Sequence, residues 1–210
     1  MKILIVSDIH SDYVAAESIY HKEKPDFVLD CGDHDEIKNL FELVPHFYIN
    51  GNHEPTVINS TKDSMPLPTK ISTNQIIALN NGENIIKVSG LDGNYSSLDK
   101  PYSIKEEDIE RLKSLRGAGL DILLTHESPL LVSENSLYKK LADKVIEEID
   151  MIRPRYVFSG HLGIYKDSLK TPGNTNNIVL DEISKGYCIL EIMKGKKFKL
   201  RRIQCRFKWL

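Results

Sequence analysis

Four of the seven histidines in this chain, His10, His53, His126 and His161, each follow directly on a short apolar run of the kind that forms a buried strand. Oxygen ligands arrive in the same way: Asp8 beside His10, Asp33 in Cys31-Gly32-Asp33, and Asn52 beside His53. Asp8 and His10 are two apart, so in extended chain they face the same side. Gly32, Gly51 and Gly160 each precede one of these polar residues and suit tight turns with close backbone approach to a ligand. A mixed set of carboxylate, amide and imidazole donors suits one or two divalent transition ions, Mn²⁺, Fe, Zn²⁺ or Ni²⁺, better than Mg²⁺ or Ca²⁺. Singly, each histidine would be an ordinary hydrogen-bonded loop residue. The cluster is what carries weight.

The elements that must gather them are legible. Residues 3–6, 27–29 and 47–49 are apolar runs separated by helical stretches, one with Val14, Ala15, Ser18 and Ile19 inward, one with Ile37, Leu40, Phe41 and Val44. Pro25 and Pro45 end those stretches. The order β-α-β-α-β predicts a parallel, helix-covered sheet, and such sheets bind ligands at the carboxyl ends of their strands. Residues 55–73 read as a long irregular loop. Residues 76–79 and 85–88 flank Asn80-Asn81-Gly82 as a hairpin. Ser103-Ile104-Lys105-Glu106 has the form of a capping box opening a helix with Ile109, Leu112 and Leu115 inward. Residues 121–125 and 156–158 are further strands. Between them Leu137, Leu141, Val145, Ile149 and Ile152 mark the longest amphipathic helix, ended by Pro154. From residue 178 onward the pattern is β, with strands at 178–180, 187–192 and 198–203.

Asp8-Ile9-His10, Gly32-Asp33, Gly51-Asn52-His53-Glu54, Thr125-His126 and Gly160-His161 occur in the order and rough spacing of the calcineurin-like metallophosphoesterases, and the chain resembles that family over essentially its whole length. Thr171-Pro172-Gly173-Asn174 resembles the family's closing turn. The resemblance implies an α/β fold, a four-layer β-sandwich flanked by helices, formed by residues 1–210 as one domain. It implies a dinuclear centre in which Asp8 and His10 hold the first ion, Asp33 bridges, and Asn52, His126 and His161 hold the second. His53 then belongs near the scissile phosphate, as acid to the leaving group or as a stabiliser of charge. The implied reaction is hydrolysis of a small phosphate mono- or diester: two ions about 3.5–4 Å apart acidify a bridging water, and the resulting hydroxide attacks phosphorus in line.

The family's last motif is usually Gly-His-x-His, but here it reads Gly160-His161-Leu162-Gly163. The first ion is left with Asp8, His10 and the bridging Asp33. His34, Tyr165 and Asp167 are candidates to compensate, none favoured. This departure keeps open a second reading, a catalytically weakened or inactive binding or scaffold protein on the same frame, as in a retromer subunit with this fold. His21 reads as a surface residue and His46 as unremarkable. Glu54 and Glu127 read as rim groups rather than ligands, and Asp92, Asn94 and Tyr95 as an ordinary turn that could line a substrate cleft.

Composition bounds the rest. At 210 residues with 40% hydrophobic and 28% charged, the chain buries a sizeable core without disulfides. With 28 Lys and Arg against 30 Asp and Glu, gripping nucleic-acid backbone is possible but not favoured, and an anionic membrane is not indicated. The basic tail (Lys194, Lys196, Lys197, Lys199, Arg201, Arg202, Arg206, Lys208) alternates with Phe198, Leu200 and Ile203, which reads as the solvated face of a strand pair. The alternative is a patch for a phosphate-rich substrate or RNA. Three spaced cysteines form no CxxC pair, and the apolar start breaks at Ser7-Asp8, too short for export, so a reducing, cytoplasmic setting is the expectation.

Overall fold

Alternation in the first strand, β1 (Lys2–Val6), divides the molecule: Ile3 and Ile5 face one buried layer while Leu4 and Val6 face another. A computed structural model describes residues 1–35, 44–53, 68–96, 100–135 and 137–205 of the chain. In it β1 lies parallel to β2 (Phe27–Asp30), then β3 (His46–Tyr48) and β4 (Thr69–Lys70) follow in the same sense. A second sheet runs parallel through β6 (Ile85–Leu91), β7 (Ile122–Glu127), β8 (Tyr156–Gly160) and β10 (Asn176–Val179). Antiparallel strands close the edges. In the second sheet β5 (Ile77–Asn80) pairs with β6 and β9 (Lys166–Lys170) with β10. In the first, β11 (Gly186–Met193) pairs with β1 and β12 (Lys197–Gln204) with β11. Each sheet is six-stranded.

Inner faces of both sheets meet in one core that includes Ile3, Ile5, Leu29, Leu124, Phe158 and Leu190. Outside the first sheet, α1 (Tyr13–Glu23) covers Leu4, Val6 and Val28. Outside the second, α2 (Glu106–Lys113) and α4 (Lys139–Ile152) cover Leu123 and Val157. The order helix, sheet, sheet, helix is the four-layer α/β sandwich expected.

Several local readings need correction. The buried face of α1 is Ala15, Ala16, Ile19 and Glu23, whereas Val14 is 80% exposed. Two adjacent alanines let the helix lie close on the sheet, which a stripe centred on Val14 would not. Helix α2 begins after Lys105 rather than Ser103. The Asp108 carboxylate accepts the Lys105 N–H at 3.0 Å, and the Ser103 hydroxyl instead accepts the Lys100 N–H. An ammonium has no lone pair to return the bond, so only half a capping box forms. Leu137 lies outside α4 and is 97% exposed, and the helix buries Ala142, Val145, Ile146, Ile149 and Ile152. Arg153 in the left-handed region and then Pro154 end it. Elements not foreseen are β4, which takes up the end of the 55–73 loop, the polar edge strand β9, and the short helix α3 (Pro129–Asn135). Thr171–Asn174 is a turn followed by strands, as read: it joins β9 to β10, and Asp150 of α4 accepts there from the Thr171 hydroxyl and the Gly173 N–H. Residues 36–43, 54–67 and 206–210 lie outside the described chain, and with them the readings made on Ile37, Leu40, Phe41, Glu54, Arg206 and Lys208. No helix among the described residues is long and apolar enough to cross a membrane.

Candidate metal centre

The carboxyl ends of five parallel strands, three from one sheet and two from the other, converge at one edge. β1 leads into Asp8 and His10, β2 into Asp33, and β3 into Asn52 and His53. β7 ends on His126-Glu127 and β8 on Gly160, just before His161. The loops are stapled by backbone: the Asp8 N–H donates to Gly32 O and the His10 N–H to Asp33 O, both at 2.9 Å. Asp8, His10, Asp33 and His161 all sit at positive φ, between 47° and 71°. Non-glycine residues adopt that region at a cost, and four together mark a place where the surroundings over-determine the backbone.

His126 organises the deeper half. Its Nδ1–H donates to the Cys31 carbonyl at 2.8 Å, which directs the Nε2 lone pair into the site. Around Nε2 stand Asn52 Oδ1 at 3.0 Å, His161 Nδ1 at 3.2 Å and Asp33 Oδ1 at 3.3 Å. Four lone-pair atoms facing one another repel unless a cation or a proton sits among them. Protonation supplies only a partial answer. Burial opposes an imidazolium at His126, but the Asp33 hydrogen bond and charge, with Asp8, outweigh it and raise its pKa. Burial and the neighbouring His126 push His161 down to about 4. A proton here would favour His126 over His161 and leave the remaining acceptors facing one another, where a divalent ion would satisfy all four donors. The donor set fits a metal.

The shallower half shares Asp33. Ligand atoms of Asp8, His10 and Asp33 lie within 4.8 Å of one another, as do those of Asp33, His126 and His161. Asp33 Oδ1 accepts the N–H groups of Asn52 and His53 at 2.7 and 2.9 Å. Burial would raise its pKa, but His126 and these two N–H groups hold it below the usual carboxylate range. Asp8 is the opposite case: burial raises it despite His126, the Ser7 hydroxyl and the His161 N–H, which donates to Oδ2 at 2.9 Å and ties the two sheets together. Both carboxylates need a bare backbone opposite. A Cβ on Gly160 would stand 2.3 Å from Asp8 Oδ2, and one on Gly51 would stand 2.0 Å from Asp33 Oδ1.

His53 is exposed, with its ring edge-on to His10 at 5.7 Å between centroids. It lines both a cavity of about 130 Å³ that holds Asp8, His10, Asp33 and His161 and a larger cleft of about 920 Å³. Asp92, Lys70, Tyr102 and Arg111 line that cleft, and only Asp92 was foreseen as a possible liner. Lys70 pairs with Asp92 at 3.0 Å and Arg111 with Asp108 at 3.2 Å. Lys70 lies within the unpatterned stretch and Arg111 looks like any exposed helix residue, so sequence offers no signal for either.

Of the candidates to replace the missing histidine, none enters the cavity. His34 turns inward to Asp30 at 2.7 Å, Tyr165 lies under the Arg202 guanidinium, and Asp167 is exposed on β9. His46 is not a bystander: it is buried and its Nε2 is 3.4 Å from the same Asp30 oxygen. Its place two residues before inward-facing Tyr48 was the available signal. Glu127 accepts the Tyr95 N–H at 2.8 Å and so positions a loop rather than facing the ligands. In the basic tail, Arg201 pairs with Glu191, consistent with the solvated face of a strand pair.

Solved structures share this architecture. TT1561 of Thermus thermophilus aligns over 95% of this chain and 97% of its own, at 14% identity and a TM-score of 0.60. GAP50, the anchor in the inner membrane complex of Plasmodium, aligns over 100% and 90%, at 12% identity and 0.60. The sulfate thiohydrolase SoxB of Thermus thermophilus aligns over 97% of this chain and 56% of its own, at 13% identity and 0.58. At these identities the likeness concerns the fold. Comparison with curated proteins gives no match. The family model for calcineurin-like phosphoesterases, however, matches residues 1–165, which takes in every strand end that feeds the cluster, and the chain belongs to that family.

Proposed function

We propose that the protein is a metal-dependent hydrolase of small phosphate mono- or diesters, with Asp8, His10 and Asp33 holding one ion and Asp33, Asn52, His126 and His161 the other. The observation that carries this is the cluster of four lone-pair atoms made by His126 Nε2 and the three acceptors around it, fixed from behind by Cys31. Bound ions there would supply Lewis-acid charge and an activated water. The chain's own residues do the rest. Asp33, clamped by two backbone N–H groups, keeps its carboxylate aimed between the two halves of the site. His53, at the junction of cavity and cleft, is placed to hydrogen-bond or protonate the departing oxygen. The 920 Å³ cleft has the size of a small-molecule site, and Lys70 and Arg111 give the ester's alcohol portion charged neighbours. A cytoplasmic setting and Mn²⁺ as the working ion belong to the same reading.

Hydrolysis of an aryl phosphodiester and an aryl phosphomonoester with Mn²⁺, Ni²⁺, Co²⁺ or Zn²⁺ tests it. Turnover should fall at least about 100-fold in Asp33→Ala. His53→Ala should cost more on alkyl than on aryl esters, because a poor leaving group needs the proton most. No turnover above the Asp33→Ala background with any of these ions would overturn the proposal. Gly163 favours the competing binding-frame reading, and metal content separates the two: about two ions per chain speaks for the enzyme, none under metal-replete conditions for the frame.

A further inference from the structure

Gly163 leaves the shallow half of the centre one side chain short of the family pattern, and a carboxylate lines the same cavity beside it. Glu182 and Gly163 line the 130 Å³ cavity together with Asp8, His10 and Asp33. A Cβ built on Gly163 would lie 3.7 Å from Glu182 Oε1, so any side chain growing from position 163 would meet this carboxylate first. Glu182 comes from the loop after β10, and that loop is pinned. Ile183 is 1% exposed in the core under α1, and the Glu182 carbonyl accepts the N–H groups of Lys185 and Gly186 at 2.8 and 3.1 Å. Its side chain keeps freedom to move. Its charged neighbour is Lys185 Nζ at 3.2 Å, an exposed pair of the weak, solvent-screened kind. An ion beside Asp8 and Asp33 outcompetes that ammonium.

We propose that Glu182 is a protein ligand of the first ion, supplied from a different loop in place of the side chain that Gly163 lacks. The inference rests on the dinuclear reading above. It makes the two halves chemically unlike. The deeper set is two oxygens and two imidazoles. The shallower becomes three carboxylates and His10, a harder set that suits Mn²⁺ better than the imidazole-rich half does.

The test is calorimetric titration of the metal-free full chain with Mn²⁺, with the electron paramagnetic resonance spectrum of coupled Mn²⁺ as an independent readout. Wild type should show two binding events and a coupled spectrum. Glu182→Gln should weaken one event by about tenfold or more, leave the other within about twofold, and abolish the coupling. The melting temperature of metal-free Glu182→Gln should match wild type, since the side chain is half exposed. Gly163→His should change little in wild type but restore the lost event in the Glu182→Gln background. A loss that vanishes in about 1 M salt, where the screening length is about 3 Å, would mean mere attraction and overturn ligation. Two events unchanged in Glu182→Gln would overturn Glu182 while leaving the centre standing. No Mn²⁺ bound by wild type, or a titration unaffected by Asp33→Asn, would instead remove the centre itself and Glu182 with it.

Discussion

Gly51→Ala isolates the geometry of the centre from its chemistry, because it adds one methyl group and removes no ligand. That methyl carbon would stand 2.0 Å from Asp33 Oδ1 and 2.7 Å from His126 Cε1, where ordinary contact begins at 3.4 Å. Gly51 does not occupy the left-handed region, so the cost is the clash rather than backbone strain. To relieve it the Asp33 carboxylate must retreat by more than about an ångström. It would then leave the N–H groups of Asn52 and His53, now at 2.7 and 2.9 Å, and pull away from His126. Overpacking of this kind costs about 1–3 kcal/mol of stability. A displacement of about 1 Å at a bridging ligand should cost at least about 100-fold in activity, with a matching loss in affinity for both ions. The assay is thermal melting, Mn²⁺ titration and ester hydrolysis on one preparation. Gly82→Ala is the control: at φ +86° with nothing within 4 Å of the added carbon, it should lose about 1 kcal/mol of stability and no metal affinity. Gly51→Ala that binds Mn²⁺ and turns over within about threefold of wild type would refute the placement of Asp33 as the shared ligand.

Acid should unfold the protein through the buried Asp30 group. Burial would raise the Asp30 pKa, but the charge and hydrogen bond of His34 and those of His46 hold it below the usual carboxylate range, so its contribution is intact above about pH 4 and lost as pH falls below that. Burial lowers the His46 pKa despite Asp30, so its contribution is intact above about pH 6.5 and lost as pH falls through its depressed value. Melting temperature should therefore decline in two stages on acidification, Asp30→Ala should remove the second stage and cost about 3–5 kcal/mol at neutral pH, and a flat wild-type profile down to pH 4 would contradict this. Phe158→Ala empties a fully buried site between the sheets and should cost about 3–5 kcal/mol by denaturant titration with the slope unchanged. Mn²⁺ at about a hundred times its dissociation constant should add about 2.7 kcal/mol, a rise in melting temperature of about 5–10 °C that a chelator reverses.

What could be read in advance follows from how each feature is encoded. Strands buried on both faces announce themselves as apolar runs, and β1, β7 and β8 deliver Asp8, His126 and His161 at or just past their carboxyl ends. The ligand cluster was legible for that reason alone. Helix faces were legible to within one position: α1 turns on whether Val14 or Ala16 points inward, and close packing on the sheet decides for the smaller residue. Lys70, Arg111 and Glu182 carried no local signal. Each reaches the cavity or cleft because of where its strand, helix or loop is carried by the sheets, a tertiary fact with no counterpart in spacing. His34, a candidate ligand, and His46, read as unremarkable, could not be placed from sequence because both turn to a buried Asp30 that spacing does not reveal.

The centre also explains why strain collects where it does. Asp8 and Asp33 belong to one sheet and His126 and His161 to the other, so no single strand pairing positions the set. The sheets are joined here by polar contacts at the rim of their apolar core, among them the His161 N–H on Asp8 Oδ2 and the His126 ring on the Cys31 carbonyl. Extended backbone would carry each side chain past the edge. Left-handed residues after three of these strands, Asp8 and His10 after β1, Asp33 after β2 and His161 after β8, turn it back over the core instead, at a cost of about 1–3 kcal/mol each. The apolar core between the sheets offsets that cost, and it is also what fixes the distance across which the two ligand halves meet. A change in sheet separation, from a cavity at Phe158 for example, is therefore felt at the ligands before it is felt as unfolding.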